Sequence, residues 1–107
     1  MSQKIILKVA LKVPFAPYLD YLLPEGLKLP EVGCRVLVKL GTRTPAVGVV
    51  VGISHESAFN KLKPIDQVLD ESPLLSTDLI ELLEKTASYY HAPLGEVINM
   101  ALPKWFR

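Results

Sequence analysis

The chain has 107 residues, half of them apolar, with nine prolines, six glycines, one cysteine and a formal net charge of +1. That length supports one core and excludes two full ones. Lysines and prolines interrupt every apolar segment well short of the roughly 20 residues that cross a bilayer. Met1-Ser2-Gln3-Lys4 leads into alternating residues rather than a secretory leader, and a lone cysteine makes no internal disulfide. The expectation is a cytoplasmic domain with no membrane contact.

The net charge conceals an asymmetry. Residues 1–63 carry nine Lys or Arg against four Asp or Glu, whereas residues 64–107 carry three against seven. A basic first half joined to an acidic second half suits a domain that meets a polyanion on one side. Two ordinary solvated faces would give the same counts, so charge alone leaves both readings open.

Ile5 to Val13 alternates, with Ile5, Leu7, Val9, Leu11 and Val13 on one face and Lys8 and Lys12 on the other, and predicts a half-buried strand. Pro14 and Pro17 end it. Leu19 to Leu23 reads as a second strand, with Leu19, Tyr21 and Leu23 on one face and Asp20 and Leu22 on the opposite one. Pro24-Glu25-Gly26 makes a turn. After Gly33, the apolar Cys34, Val36, Val38 and Leu40 alternate with Arg35, Leu37 and Lys39, predicting a third strand that carries its charge outward.

Gly41 to Pro45 is rich in turn formers, and Ala46 to Ile53 is β-branched enough to be a central strand, so the pair reads as a hairpin. Gly48 and Gly52 inside it point to bulges or sharp curvature that closes the sheet into a small barrel. Ser54 to Asn60 is a loop, and Lys61 to Leu69 returns as an edge strand, with Pro64 where no ladder donor is needed. The β part ends near Asp70.

Ser76 is placed to cap a helix and Asp78 to complement its dipole; Leu79, Ile80, Leu83, Ala87 and Tyr90 then recur at helical spacing. Tyr89-Tyr90-His91 reads as a helix end packed on the sheet. Pro93 breaks that helix, and Leu94, Val97, Ile98, Ala101 and Leu102 form a second one, ended by Pro103. The expected fold is mainly β with C-terminal helices. Residues 1–70 form a small OB-like β-barrel, and residues 71–107 form a helical extension packed on it within one structural unit. Cys34 falls on an apolar strand position and reads as a buried core thiol; neither His55 nor His91 is set in a nucleophile signature.

One set of motifs, in order, is specific in combination. It comprises Val9-Ala10-Leu11, Asp20-Tyr21-Leu22-Leu23-Pro24-Glu25-Gly26, Val32-Gly33-Cys34-Arg35-Val36 leading to Gly41, Val47-Gly48-Val49-Val50, Leu62-Lys63, and Tyr89-Tyr90-His91 followed by Pro93-Leu94-Gly95-Glu96-Val97 and Ala101-Leu102-Pro103. Over the whole length the chain resembles the N-terminal domain of primosomal protein N-prime, the bacterial replication-restart helicase PriA. That resemblance implies a non-catalytic module that holds the free 3′ end of a nascent leading strand at a stalled fork.

By motif position, it also implies 3′-end-binding roles for Leu19, Asp20, Tyr21, Gly41, Arg43 and Lys63. Leu19 stands where the family commonly has phenylalanine, and Lys39-Leu40-Gly41 where it has proline-phenylalanine-glycine. The implied partners are DNA with a free 3′ end, the remainder of the helicase and, through the full-length enzyme, other primosome proteins and single-strand-binding protein. No cofactor is implied for this domain; ATP, Mg and Zn would serve the parent helicase. The chain carries neither a GKT-type phosphate loop nor paired-cysteine zinc motifs. The apolar tail Trp105-Phe106-Arg107 would pack on the rest of that enzyme.

The residue types fit such a task. A carboxylate at Asp20 accepts from a 3′ hydroxyl or a base amino group and repels a 3′ phosphate. Gly41 leaves room for a sugar, while Lys63 and Arg43 neutralise phosphate. Tyr21 is open to two readings: a base-stacking platform, or a core residue among apolar neighbours. A rival of another class is a small-barrel adaptor whose basic β face serves an acidic partner protein. Asp20 discriminates, since an acid-seeking surface has no use for a carboxylate in its basic patch.

Overall fold

Apolar residues at every second position require cover on one side of each strand, and this chain supplies it by curling a single sheet. The computed structural model describes residues 5–11, 18–40, 44–55 and 62–101. Strands β1 (Ile6–Ala10), β2 (Leu19–Leu22), β3 (Arg35–Leu40), β4 (Thr44–Ser54) and β5 (Gln67–Val68) form an antiparallel sheet in the order β2-β1-β4-β3-β5. The hairpin expected around Gly41 is present as β3 and β4, with Leu40 opposite Thr44.

The two sheet edges are tied together. Leu22 on β2 donates its N–H to the Lys63 carbonyl (2.9 Å) and accepts from the Ile65 N–H (3.0 Å), making a parallel bridge to Pro64 before the chain runs on into β5 beside β3. Pro64 has no N–H to give, and its neighbours carry both bonds. Pairing therefore does not run continuously around, and the barrel is OB-like and partly open. The edge strand expected over 61–69 is, within the described residues, this bridge followed by the two-residue β5.

Two apolar clusters flank the sheet. Leu7, Val9, Leu11, Tyr21, Val36, Val38, Val50 and Ile65 fill the inside. Ala10 and Val49 face outward, where they are covered by Leu75 and by helices α1 (Thr77–Tyr90) and α2 (Leu94–Ala101) through Ile80, Leu83, Ala87, Leu94 and Ile98. Burying each Val, Leu or Ile of these clusters contributes about 1.5–3 kcal/mol. Cys34 lies buried, as expected; desolvation pushes its thiol up, partly offset by a hydrogen bond with the Glu31 backbone.

The glycines of β4 do different things. Lys8 of β1 pairs with Gly52 but Val9 pairs with Val50, so Val51 is an extra residue and Gly52 borders a bulge. Gly48 pairs regularly with Val36; a side chain there would run into Val9 and Leu11, so it admits core packing rather than a bulge. Gly33 sits at φ 103° in the turn closed by the Cys34 N–H on the Glu31 carbonyl (3.1 Å), and its own carbonyl receives the Leu74 N–H at 3.1 Å. It docks the connection to α1 against the start of β3.

Arg35 lies on the outward face, as expected of the charges of β3, but is ion-paired rather than left to solvent. Asp70 Oδ2 accepts from the Arg35 backbone N–H (2.8 Å) and Nε–H (3.0 Å), and Oδ1 accepts from Nη2 (2.9 Å). One base of the basic half is thus neutralised by one acid of the acidic half, and the end of the β part is stitched to β3.

Ser76 caps α1 as expected, its hydroxyl accepting from the Leu79 N–H at 3.1 Å. The helix ends where His91 turns left-handed (φ 54°) and the Ala92 N–H reaches the Ala87 carbonyl (2.8 Å), before Pro93 is reached. Pro93 opens α2 instead, its carbonyl accepting from Glu96 and Val97. Tyr89 and Tyr90 correct the expectation that they pack on the sheet: they are 78% and 71% exposed and meet edge to face at 5.0 Å. The outward patch of the sheet is small, and Ile80, Leu83 and Ala87 already cover it. The second helix is described to Ala101; its expected end at Leu102-Pro103 and the Trp105-Phe106-Arg107 tail lie outside the described residues.

Candidate functional site

Strand β2 carries three of the expected site residues in a row, and strand geometry sends them to two faces. Leu19 pairs with Val9 and Tyr21 with Leu7, so both belong to the inner face; Asp20 pairs with Lys8 on the opposite one. Leu19 is half-buried against the barrel core. Tyr21 is 4% exposed, and its hydroxyl donates to the Lys39 carbonyl at 3.2 Å, spanning from β2 to β3. Burial pushes its phenol pKa up. A base could not stack on this ring without opening the core, so the stacking reading of Tyr21 gives way to the core reading. Its contact with Lys39 makes it a strut beneath the hairpin.

Asp20 is half-buried, with Oδ1 shielded from solvent. Lys63 is brought to the same strand from far along the chain, since its carbonyl is bonded to the Leu22 N–H two residues from Asp20, and it is exposed. Gly41 and Arg43 lie outside the described residues.

Two residues passed over as site candidates in the sequence stand beside Asp20. Lys8 is directly opposite it across the β1–β2 ladder, and Lys8 Nζ lies over the Tyr18 ring, 5.2 Å from its centroid. Tyr18 is 37% exposed. On the other side of Lys8 the cross-strand neighbour is Gly52, so no side chain rises there. The signal that could have found this group is period two: Tyr18 precedes Asp20 by two residues and so shares its face. Reading the strand from Leu19 cut that pattern off.

An acid on β2 with Lys8 as its cross-strand partner, Lys63 tied by its backbone to the same strand and the Tyr18 ring under Lys8 Nζ gathers an acceptor, cationic residues and a π face at one sheet edge. That combination takes a polar ligand with an anionic backbone and a flat ring system. Among the described residues, no group of three or more His, Cys, Asp or Glu comes together to hold a metal, and no helix is long and apolar enough to cross a membrane.

A partly open, five-stranded OB-like barrel with an acid and bases at one edge and two trailing helices defines a small binding domain. Residues 8–103 match the 3′DNA-binding domain (3′BD) family of PriA. The chain is 40% identical over 100 residues to the replication restart protein PriA of Haemophilus influenzae, covering 92% of this chain and 13% of that protein. It is 35% identical over 85 residues to PriA of Chlamydia pneumoniae (79% and 11%) and 28% identical over 102 residues to PriA of Buchnera aphidicola (94% and 14%). The chain therefore belongs to the PriA 3′ DNA-binding domain family, a DNA-binding module of replication restart, and spans about an eighth of the length of these relatives. The adaptor reading is not favoured.

Proposed function

We propose that this domain holds the 3′-terminal nucleotide of a DNA strand, with Asp20 accepting from the terminal hydroxyl or a base amino group and Lys63 meeting the adjacent phosphate. The observation that carries this reading is the position of Asp20 on edge strand β2, opposite Lys8 and two residues from the backbone tie to Lys63. A carboxylate flanked by cations tolerates a phosphodiester yet disfavours a 3′ phosphate placed against it. Leu19 and Tyr21, packed on the inner face, brace the strand that presents Asp20. Gly41 and Arg43, which lie outside the described residues, are assigned by motif position alone to the sugar and to a second phosphate.

In the full-length protein the domain would read the nascent leading-strand end at a stalled fork in the bacterial cytoplasm, delivering it to the helicase body. Single-strand-binding protein and other primosome proteins would act through that body. The end-binding step needs no catalysis and no cofactor; ATP, Mg and Zn would serve the motor elsewhere.

The test is titration with three labelled oligonucleotides at low salt: one ending in a free 3′ hydroxyl, one in a 3′ phosphate, and one with its 3′ end buried in duplex. Preference for the free hydroxyl, lost roughly 10- to 100-fold in Asp20→Ala with unchanged circular dichroism, is expected from the loss of one charge-assisted hydrogen bond. Equal binding to all three by the wild-type domain would refute end reading.

A further inference from the structure

We propose that Tyr18, held by Lys8, is the base-stacking platform of the 3′-end site, an inference that rests on the end-binding reading of Asp20. Among the described residues, the site as otherwise assigned has an acceptor and cationic residues but no aromatic face open to a nucleotide, because the Tyr21 ring is shut inside the barrel. Among the described residues, Tyr18 is the aromatic residue two positions from Asp20 at this edge. It lies two residues before Asp20, roughly 7 Å along an extended strand, the scale of a single nucleotide.

Lys8 Nζ lies over the Tyr18 ring at 5.2 Å, and Tyr18 remains 37% exposed, which is the accessible surface the proposal gives to a base. Lys8 is also the cross-strand partner of Asp20 in the β1–β2 register, so one residue neighbours both the ring and the acid-bearing position. Gly52 beyond Lys8 adds no side chain to that surface; one there would press on the Lys8 stem, 3.2 Å from its Cδ. The terminal base therefore lies on Tyr18 while its sugar end meets Asp20. Stacking of this kind is indifferent to base identity, as a reader of arbitrary ends requires.

The experiment compares wild type, Tyr18→Phe and Tyr18→Ala on two 3′-hydroxyl oligonucleotides, one complete and one lacking only its terminal base. The platform requires that Tyr18→Ala weaken binding of the complete strand by roughly 5- to 100-fold, that Tyr18→Phe restore it, and that Tyr18→Ala have no effect on the strand without the base. Equal losses on both strands would assign Tyr18 a structural role and overturn the proposal, as would wild-type affinity in Tyr18→Ala. In either case a surviving preference of the variant for 3′ hydroxyl over 3′ phosphate leaves the Asp20 reading standing. If the wild-type domain itself shows no such preference, end reading fails and this proposal falls with it. Circular dichroism of each variant reports folding, which an exposed position such as Tyr18 leaves intact.

Discussion

Replacing Asp70 by asparagine removes the clamp between β3 and the end of the β part. One carboxylate accepts three hydrogen bonds from Arg35, at 2.8, 3.0 and 2.9 Å, and the side chains of the pair are 23% and 11% exposed. Hydrogen bonds to charged groups contribute about 1.5–3 kcal/mol each. These three share one group and are not additive, and Arg35 keeps partial access to water, so the expected cost is about 2–3 kcal/mol. For a domain of this size that lowers Tm by roughly 10–15 °C.

The effect has a defined pH dependence. The Arg35 guanidinium holds the Asp70 carboxyl below the usual carboxylate range, so the native state binds this proton less readily than the unfolded chain. The stabilisation is complete above the unfolded value of about 3.9 and disappears as pH falls through the depressed native value. Urea unfolding followed by circular dichroism, from pH 7 down to pH 3, should show a gap between wild type and Asp70→Asn that narrows on acidification below about pH 4. A gap under about 0.5 kcal/mol at pH 7, or one that does not narrow in acid, would refute a stabilising ion pair here.

Tyr21→Phe loses only the bond to the Lys39 carbonyl and should cost about 0.5–1.5 kcal/mol in chemical denaturation with DNA affinity unchanged, whereas Tyr21→Ala should cost about 3–5 kcal/mol. A fully stable Tyr21→Ala that binds DNA poorly would instead return Tyr21 to the surface as a platform. Gly33→Ala combines a positive φ with a side chain directed at the Leu75 carbonyl, and should destabilise by about 1–3 kcal/mol or more; an unchanged Tm would mean that the turn relaxes freely.

Local pattern carried far in this chain. The alternation beginning at Ile5, the hairpin spacing from Cys34 to Ile53, the donor-free place of Pro64 and the Ser76 cap were all legible, because each depends on neighbours a few residues apart. The Tyr89-Tyr90 end was misread because helical periodicity tells which side of α1 is apolar but not how far the covering sheet extends. Of the site, Asp20 and Lys63 were visible only through motif resemblance; Tyr18 and Lys8 were visible to neither resemblance nor a strand reading begun at Leu19.

Period two by itself determined that Asp20 and Tyr21 must face opposite ways and that Lys8 must leave the core, since a pleated strand allows nothing else. Which of those faces became the inside was decided by the tertiary structure. Curling the sheet until Leu22 met Pro64 enclosed Tyr21 and tied the Lys63 backbone to β2 two residues from Asp20, forty-three positions away in the chain. The same folding spent Arg35 on Asp70 and left Lys8 on Tyr18. Charges and rings acquire their roles from what the curled sheet puts next to them, and that proximity is a property of long-range pairing that no local spacing encodes.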